Sequence, residues 1–251
     1  MTLHISMTMI VQHLLFVFLL VVAPAWDFYD TTRLKRDPTS ANRIRYYRTL
    51  CSWLWISAVI ACFVVGWHSI FTIAPSAGEL TWLFGNIWVR YIVVMILIVL
   101  AAIIALIYLQ VAWKRITNKP RRYAGSDIMQ KLSYAYLFPT TWTERRWWVL
   151  IGLTAGICEE VLFRGFLLYY LRDWMNLTLA LLVAAVIFGL QHLYQGAKGV
   201  VSTAVVGVLF GLLFLLSGSL ILPMVLHAGL DLRLLTVLRP PENSSSHIVS
   251  S

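Results

Sequence analysis

Seven long apolar segments constrain this chain more than any other feature. They run over residues 5–26, 50–73, 87–112, 147–171, 176–194, 198–216 and 219–238. Apolar stretches of about 18 residues or more are typical of helices that cross a bilayer. The chain is 60% hydrophobic and 12% charged, whereas a soluble domain has roughly 25% charged residues. We therefore predict an all-α, polytopic transmembrane helical bundle with about seven spans, in a range of six to eight.

The distribution of Lys and Arg predicts how the bundle is oriented. The loop at 27–49 contains six Lys/Arg and the loop at 113–146 contains eight, whereas residues 1–9 contain none. Because basic residues concentrate in cytoplasmic loops, we predict an outside N-terminus and a cytoplasmic C-terminus. The sequence APA before Trp26 also resembles a signal-peptide cleavage site, but the charge asymmetry favours a retained first helix. The net charge of +9 is spread between apolar runs, so we predict no nucleic-acid partner.

Polar chemistry is concentrated in the C-terminal part of the chain. We predict membrane helices with cytoplasmic basic loops over 1–145, catalytic helices over 146–240 and a disordered polar tail over 241–251. Residues 1–240 are expected to form one domain. The three cysteines, Cys51, Cys62 and Cys158, show no CxxC or Cys/His spacing, so we interpret them as apolar core residues.

The segment GICEEVLFRG, residues 156–165, places charged residues inside the fourth apolar segment. With a span that starts near Trp147, Glu159 lies about 18 Å along the helix, near the middle of a hydrocarbon layer about 30 Å thick. A charge at that depth costs at least about 2.5 kcal/mol. Its presence indicates a polar cavity or a charged partner.

The two adjacent glutamates have different geometric options. Arg164 follows Glu160 by four residues on the same helical face, which predicts a structural ion pair. Glu159 points about 100° away and lacks that partner. An ion pair that only fixes helix packing would explain Glu160 and Arg164 but not Glu159. Glu159 is therefore the better candidate for a general base.

Two later spans each carry a histidine. FGLQHLYQG places Phe188 and His192 four residues apart, and LPMVLHAGLDL places His227 and Asp231 at the same spacing. By rise per residue His227 lies level with Glu159, whereas His192 is about 12 Å shallower. Either the boundaries of its span differ, or His192 lies at the cytoplasmic mouth of a cavity. A lone membrane histidine often makes only an interhelical hydrogen bond, but three polar-bearing spans indicate a shared polar cavity.

These motifs resemble those of a known protease family. EEVLFR, FGLQH and HAGLD are similar to the EExxxR, FxxxH and HxxxN/D elements of the CAAX-protease and bacteriocin-processing family, which includes the Ras-converting CAAX endoprotease. The motifs cover residues 159–231, and the first three spans add little to the match. The resemblance implies an intramembrane protease whose cavity opens toward the cytoplasm. It further implies these catalytic roles: Glu159 activates water, His192 holds that water, His227 and Asp231 stabilise the oxyanion, and Glu160 with Arg164 shapes the first helix.

Two aspects of the mechanism stay open at this point. Some family members have Asn where this chain has Asp231, and an ionised Asp cannot donate to an oxyanion. Asp231 would instead orient His227 or stay protonated. Glu159, His192 and His227 are also side chains that zinc accepts as ligands. Since HExxH is absent from the sequence, we favour a metal-free glutamate mechanism without a cofactor.

The predicted function is that of a CAAX-protease-like intramembrane endopeptidase in a bacterial cytoplasmic membrane. Its expected substrate is a membrane-embedded or membrane-anchored peptide, with or without a prenyl group. One alternative is a catalytically silent membrane protein that binds a partner or confers bacteriocin immunity. The other is a proton-coupled transporter, which the absence of internal repeats in the sequence disfavours.

Overall fold

The computed structural model describes residues 7–72 and 132–237, together with Trp88, Tyr91, Ile92 and Met95. The regular elements in this part of the chain are helices. The α-helices are α1 Met7–Val17, α2 Ala23–Arg36, α3 Ser40–Val65, α4 Trp67–Phe71, α5 Trp142–Glu160, α6 Leu168–Arg172, α7 Leu177–Leu190, α8 Gly196–Ser217, α9 Ile221–Leu232 and α10 Leu234–Val237. Two π-helical segments, Phe18–Val22 and Val161–Leu167, join α1 to α2 and α5 to α6. The all-α prediction is confirmed for this part of the chain.

Several helices are suited to a membrane. By length and hydropathy, the helical stretches Met7–Arg36, Ser40–Val65 and Leu193–Ser217 are long and apolar enough to cross one. Shorter apolar helices span Leu177–Leu190 and Ile221–Leu232. The predicted third span, 87–112, lies outside the described residues apart from four positions, as does the predicted tail at 241–251. The number of spans therefore stays a prediction.

The first two helical stretches extend past the predicted apolar segments. The first continues to Arg36 instead of ending near residue 26, and α3 begins at Ser40 instead of near residue 50. Asp30, Thr31 and Leu34 are buried in the added turns. In such turns buried and charged residues alternate with the period of a helix. The mean hydropathy over a window is therefore polar, and a hydropathy profile does not detect these turns.

The helices run between two ends of the bundle. Three contacts define the first, which we name the basic end: Arg45 with Asp30 at 3.0 Å, Arg43 with Glu144 at 3.1 Å, and Arg145 with the Leu235 carbonyl at 2.7 Å. At the opposite end, named the far end, the Leu220 N–H donates to the Phe71 carbonyl at 3.2 Å. Described parts of both predicted cytoplasmic loops and of the C-terminal region thus share one end.

One hydrophobic core joins the N-terminal and C-terminal parts of the chain. Buried members of the same cluster include Leu15 and Ala61 on one side of residue 145, and Phe166, Leu181 and Phe214 on the other. The whole π-helical segment Val161–Leu167 is buried within this core. The helix that carries the candidate acidic residues therefore packs against helices from both the N-terminal and the C-terminal part of the chain.

Glu144 anchors the start of α5 at the basic end. Thr141 and Glu144 form a capping box, and Glu144 Oε2 also accepts from Arg43 Nε at 3.1 Å. The Glu144 side chain is 0% exposed. Burial opposes its charge, but hydrogen bonds from Ser40, the Thr140 N–H and Arg43 outweigh burial, so the pKa of Glu144 lies below its ordinary value.

Glu144→Gln should lower stability at neutral pH and flatten its dependence on acid. Because the folded-state pKa of Glu144 is lowered, its contribution is present above the unfolded value of about 4.3 and is lost as the pH falls through the folded value. Removal of the carboxylate leaves Arg43 buried without its partner, which costs about 3 kcal/mol. We expect the Tm of the wild type to fall more steeply than that of the variant between about pH 5 and pH 2. The exposed Asp37→Asn is the control, and parallel Tm profiles for wild type and Glu144→Gln would contradict the role of Glu144.

Candidate active site

A close contact between α5 and α9 brings the first and third motifs together. A Cβ atom at Gly156 would lie 2.6 Å from the Ala228 backbone nitrogen, so glycine permits an approach that alanine would obstruct. Gly156 precedes Glu160 by one helical turn, and Ala228 follows His227 in the sequence. The two helices can therefore place Glu160 directly against His227.

Glu160 lies at the centre of a buried charge network. Its Oε1 accepts from Arg164 Nη1 at 2.9 Å and lies 2.8 Å from His227 Nδ1. Since a carboxylate only accepts, the Nδ1 atom carries the hydrogen. The Glu160 side chain is 0% exposed. Glu160 therefore pairs with Arg164, as the spacing predicts, and also fixes the orientation of His227.

Arg164 is enclosed by aromatic rings and backbone. Its guanidinium carbon lies 4.3 Å from the centroid of the Phe188 ring and 5.5 Å from that of Phe210. Its Nη2 donates to the Gly207 carbonyl at 3.3 Å. Aromatic faces attract a desolvated guanidinium, so the phenylalanine of the second motif helps to hold the arginine of the first.

Glu159 is placed differently from its neighbour. Its Oε2 atom is buried and has no hydrogen-bond partner among the described residues. The nearest charged partner is His227, whose Nε2 lies 3.7 Å from that oxygen, beyond the distance of a hydrogen bond. The Glu159 carboxylate is thus close to His227 without a direct hydrogen bond to it.

His192 lies in a turn and not in a helix. The helix α7 ends at Leu190, two residues before His192, whereas the sequence analysis placed it within a span over 176–194. The boundary of the predicted span therefore differs from that of the helix, and the depth of His192 stays a prediction. His192 Nδ1 lies 3.0 Å from the Phe188 carbonyl, which only accepts, so Nδ1 carries the hydrogen and Nε2 can itself accept.

Asp231 is more exposed than Glu159, Glu160 and His227. Its side chain is 37% exposed, and Oδ2 lies 3.8 Å from His227 Nε2. That distance is too long for a direct hydrogen bond. The alternative in which Asp231 orients His227 through a hydrogen bond does not match this arrangement, because Glu160 occupies Nδ1 of that ring.

A cavity of about 230 Å³ connects Glu159 with His192. Most of its walls come from the N-terminal helices, including Phe18, Trp26 and Trp53. These wall residues cannot be predicted from the sequence, because the first spans have the composition of generic membrane helices. The sequence does contain one sign of these walls, the polar residue Gln191 next to His192. In the structure Gln191 donates to the Leu19 carbonyl in the first π-helical segment.

The arrangement of Glu159, His192 and His227 can be compared with what a zinc site requires. Within residues 7–72 and 132–237, no three His, Cys, Asp or Glu side chains converge as a group that could hold a metal ion. Glu159, His192 and His227, as arranged, do not fit such a group, so we derive no step through a metal. The cysteines Cys51, Cys62 and Cys158 are free thiols.

Comparison with known proteins agrees with this arrangement of motifs. Residues 141–233 match the family model for Rce1-like proteins, described as type II CAAX prenyl endopeptidase Rce1-like. This region is similar to the Rce1-like family. No curated protein matches the chain, and no solved structure does. The resemblance drawn from the three motifs is thereby confirmed, and with its apolar helices the chain is an integral membrane protein.

Gly156→Ala should impair the Rce1-like region through packing alone. The added Cβ meets the Ala228 backbone and pushes α9 away from α5, which separates His227 from Glu160. Overpacking of this kind costs about 1–3 kcal/mol. We expect a lower Tm and a loss of any catalytic activity. Leu153→Ala, a substitution at an exposed position of the same helix, is the matched control. Unchanged stability and activity in Gly156→Ala would contradict the need for this contact.

Proposed function

We propose that this chain is an intramembrane endopeptidase that hydrolyses a peptide bond of a membrane-anchored substrate. One observation carries the proposal: Glu159 and His192 line the same cavity, while Glu160 holds His227 beside Glu159. Similarity of the C-terminal region to the Rce1-like family supports this function. The chemistry needs a base for water and a donor for the oxyanion.

Glu159 is the proposed general base. A water molecule in the cavity donates one hydrogen to the carboxylate of Glu159, a residue that lines the cavity. It donates the other to His192 Nε2, whose acceptor role follows from the bond between Nδ1 and the Phe188 carbonyl. As the water oxygen attacks the peptide carbonyl carbon, its proton passes to Glu159. The two acceptors thus orient the water and raise its nucleophilicity.

His227 is the proposed donor to the oxyanion. With both nitrogens protonated, Nδ1–H remains bound to Glu160, and Nε2–H stabilises the negative oxygen of the tetrahedral intermediate. Asp231, 3.8 Å from Nε2, favours the positive charge on that ring. When the intermediate breaks down, the carbon–nitrogen bond is cleaved and Glu159 delivers its proton to the leaving amine. The products are a carboxylate and a free amine.

The cavity walls indicate the kind of substrate. Phe18, Trp26 and Trp53 provide an aromatic surface, and Leu54, Leu162 and Phe163 add further apolar wall. Such walls favour an apolar side chain or a lipid anchor next to the scissile bond. In the proposed topology the basic end faces the cytoplasm, so we expect the substrate to enter the cavity from the cytoplasmic side of a bacterial membrane.

The experiment uses the full chain in lipid nanodiscs with a library of membrane-anchored peptides, including prenylated members. We expect cleavage products that mass spectrometry can identify, and activity that persists after chelation of metal ions. A single turnover in ¹⁸O-labelled water should place the label in the new carboxylate, because water attacks directly. Absence of cleavage for every peptide would contradict the protease. Loss on chelation with recovery on zinc would contradict the metal-free mechanism.

A further inference from the structure

A second pocket lies at the far end of the bundle, away from the cavity that contains Glu159. It has a volume of about 220 Å³, and its walls include His68, Ser69, Thr72, Arg164, Tyr169 and Arg172. Gly165 brings α4 against the buried π-helical segment, because a Cβ there would lie 2.6 Å from Ile70 Cγ1. The pocket is therefore formed by close packing of two helical segments.

The polar groups around this pocket favour an anion. Two arginines and a histidine line it together with Ser69, Thr72 and Tyr169, and the described lining residues include no carboxylate. Arginine binds phosphate oxygens through paired N–H donors. Arg164 is nearly fully buried and uses Nη1 for Glu160 and Nη2 for the Gly207 carbonyl. A guanidinium has five N–H donors in all, so these two bonds do not exhaust Arg164.

We propose that the far-end pocket binds a phosphate-type oxyanion. Its source is either the headgroup of an anionic lipid or free phosphate, since the recognised chemistry is shared. The pocket lies beside the helix ends that meet at Phe71 and Leu220, which is the level at which lipid headgroups meet a membrane protein. Arg172 and His68 supply donors from two separate helices, as a phosphate with several oxygens requires.

The pocket is physically connected to the candidate active site. Arg164 lines the pocket and donates to Glu160 Oε1, the atom that also contacts His227 Nδ1. An anion beside Arg164 therefore changes the interaction that orients His227, and the two sites are linked in both directions. This link rests on the proposed function, whereas binding of the anion does not.

The experiment measures thermal stability of the full chain, which keeps its outcome separate from that of the cleavage assay. In phosphatidylcholine nanodiscs, inorganic phosphate is titrated against chloride at equal ionic strength. In a second arm, phosphatidylglycerol nanodiscs without phosphate are compared with phosphatidylcholine nanodiscs. We expect the Tm to rise by about 3–6 °C at ten times the Kd in at least one arm. The rise should be lost in Arg172→Gln and in His68→Asn, and kept in Arg36→Gln, an exposed site of α2.

Each outcome bears on the proposal. A response to inorganic phosphate that both pocket variants lose identifies a free anion, and a response to phosphatidylglycerol alone identifies a lipid headgroup. No rise in either arm overturns the proposal, as does a rise that both pocket variants keep or that Arg36→Gln loses equally. If Arg172→Gln does not fold, His68→Asn and Thr72→Val carry the same test.

Discussion

Glu159→Gln should abolish peptide hydrolysis while the protein remains folded. The amide has the size of the carboxylate but cannot take a proton from water, so we expect kcat to fall by about 10³-fold or more. Stability should hardly change, because Glu159 Oε2 has no hydrogen-bond partner among the described residues. The measurement is the initial rate of cleavage of a membrane-anchored peptide, with Tm recorded on the same samples.

Asp173→Asn is the matched control for this prediction. Asp173 is an exposed acidic residue that follows α6, outside the cavity, and its amide variant should cleave at the wild-type rate. Full activity in Glu159→Gln would remove Glu159 from the role of base. Equal loss in both variants would instead indicate a general effect of charge.

Arg164→Met should cause the largest loss of stability. The substitution leaves the carboxylate of Glu160 buried without its cation, and breaking a buried ion pair in this way costs about 3–5 kcal/mol. It also removes the guanidinium from the Phe188 ring. The free energy of unfolding in detergent solution, measured by denaturant titration, checks this expectation.

A double substitution separates stability from activity at the same pair. In Glu160→Gln/Arg164→Met neither member of the ion pair is left as an unpaired charge, so much of the stability should return. Activity should not return, since an uncharged amide at position 160 cannot hold a positively charged His227 ring as a carboxylate does. Additive losses of stability in the double variant would show that the two side chains are not coupled.

Local spacing was sufficient for contacts within one helix. Glu160 and Arg164 are four residues apart, and their atoms meet at 2.9 Å, because helix geometry alone sets that neighbourhood. Depth along the helices placed Glu159 and His227 at one level, and their side chains lie 3.7 Å apart. His192 was placed less well because its helix ends at Leu190.

Residue spacing within a helix cannot predict contacts between segments that are distant in the sequence. The bond between Glu160 and His227 joins residues 67 positions apart and depends on Gly156 allowing two helices to touch. The aromatic cavity walls come from helices whose composition carries no sign of a site. The far-end pocket likewise needs α4 packed against the π-helical segment.

The sequence by itself determined the helical membrane class, the resemblance of the C-terminal region to the Rce1-like family and the identity of the charged residues, since hydropathy and motif spacing are local properties. The tertiary structure decided how those charges are shared. Glu160 is bound by both Arg164 and His227, whereas Glu159 faces a cavity formed largely by the N-terminal helices. The reason is physical: the partner of a buried charge is set by which helices pack together, and that packing follows from the whole core rather than from any one segment.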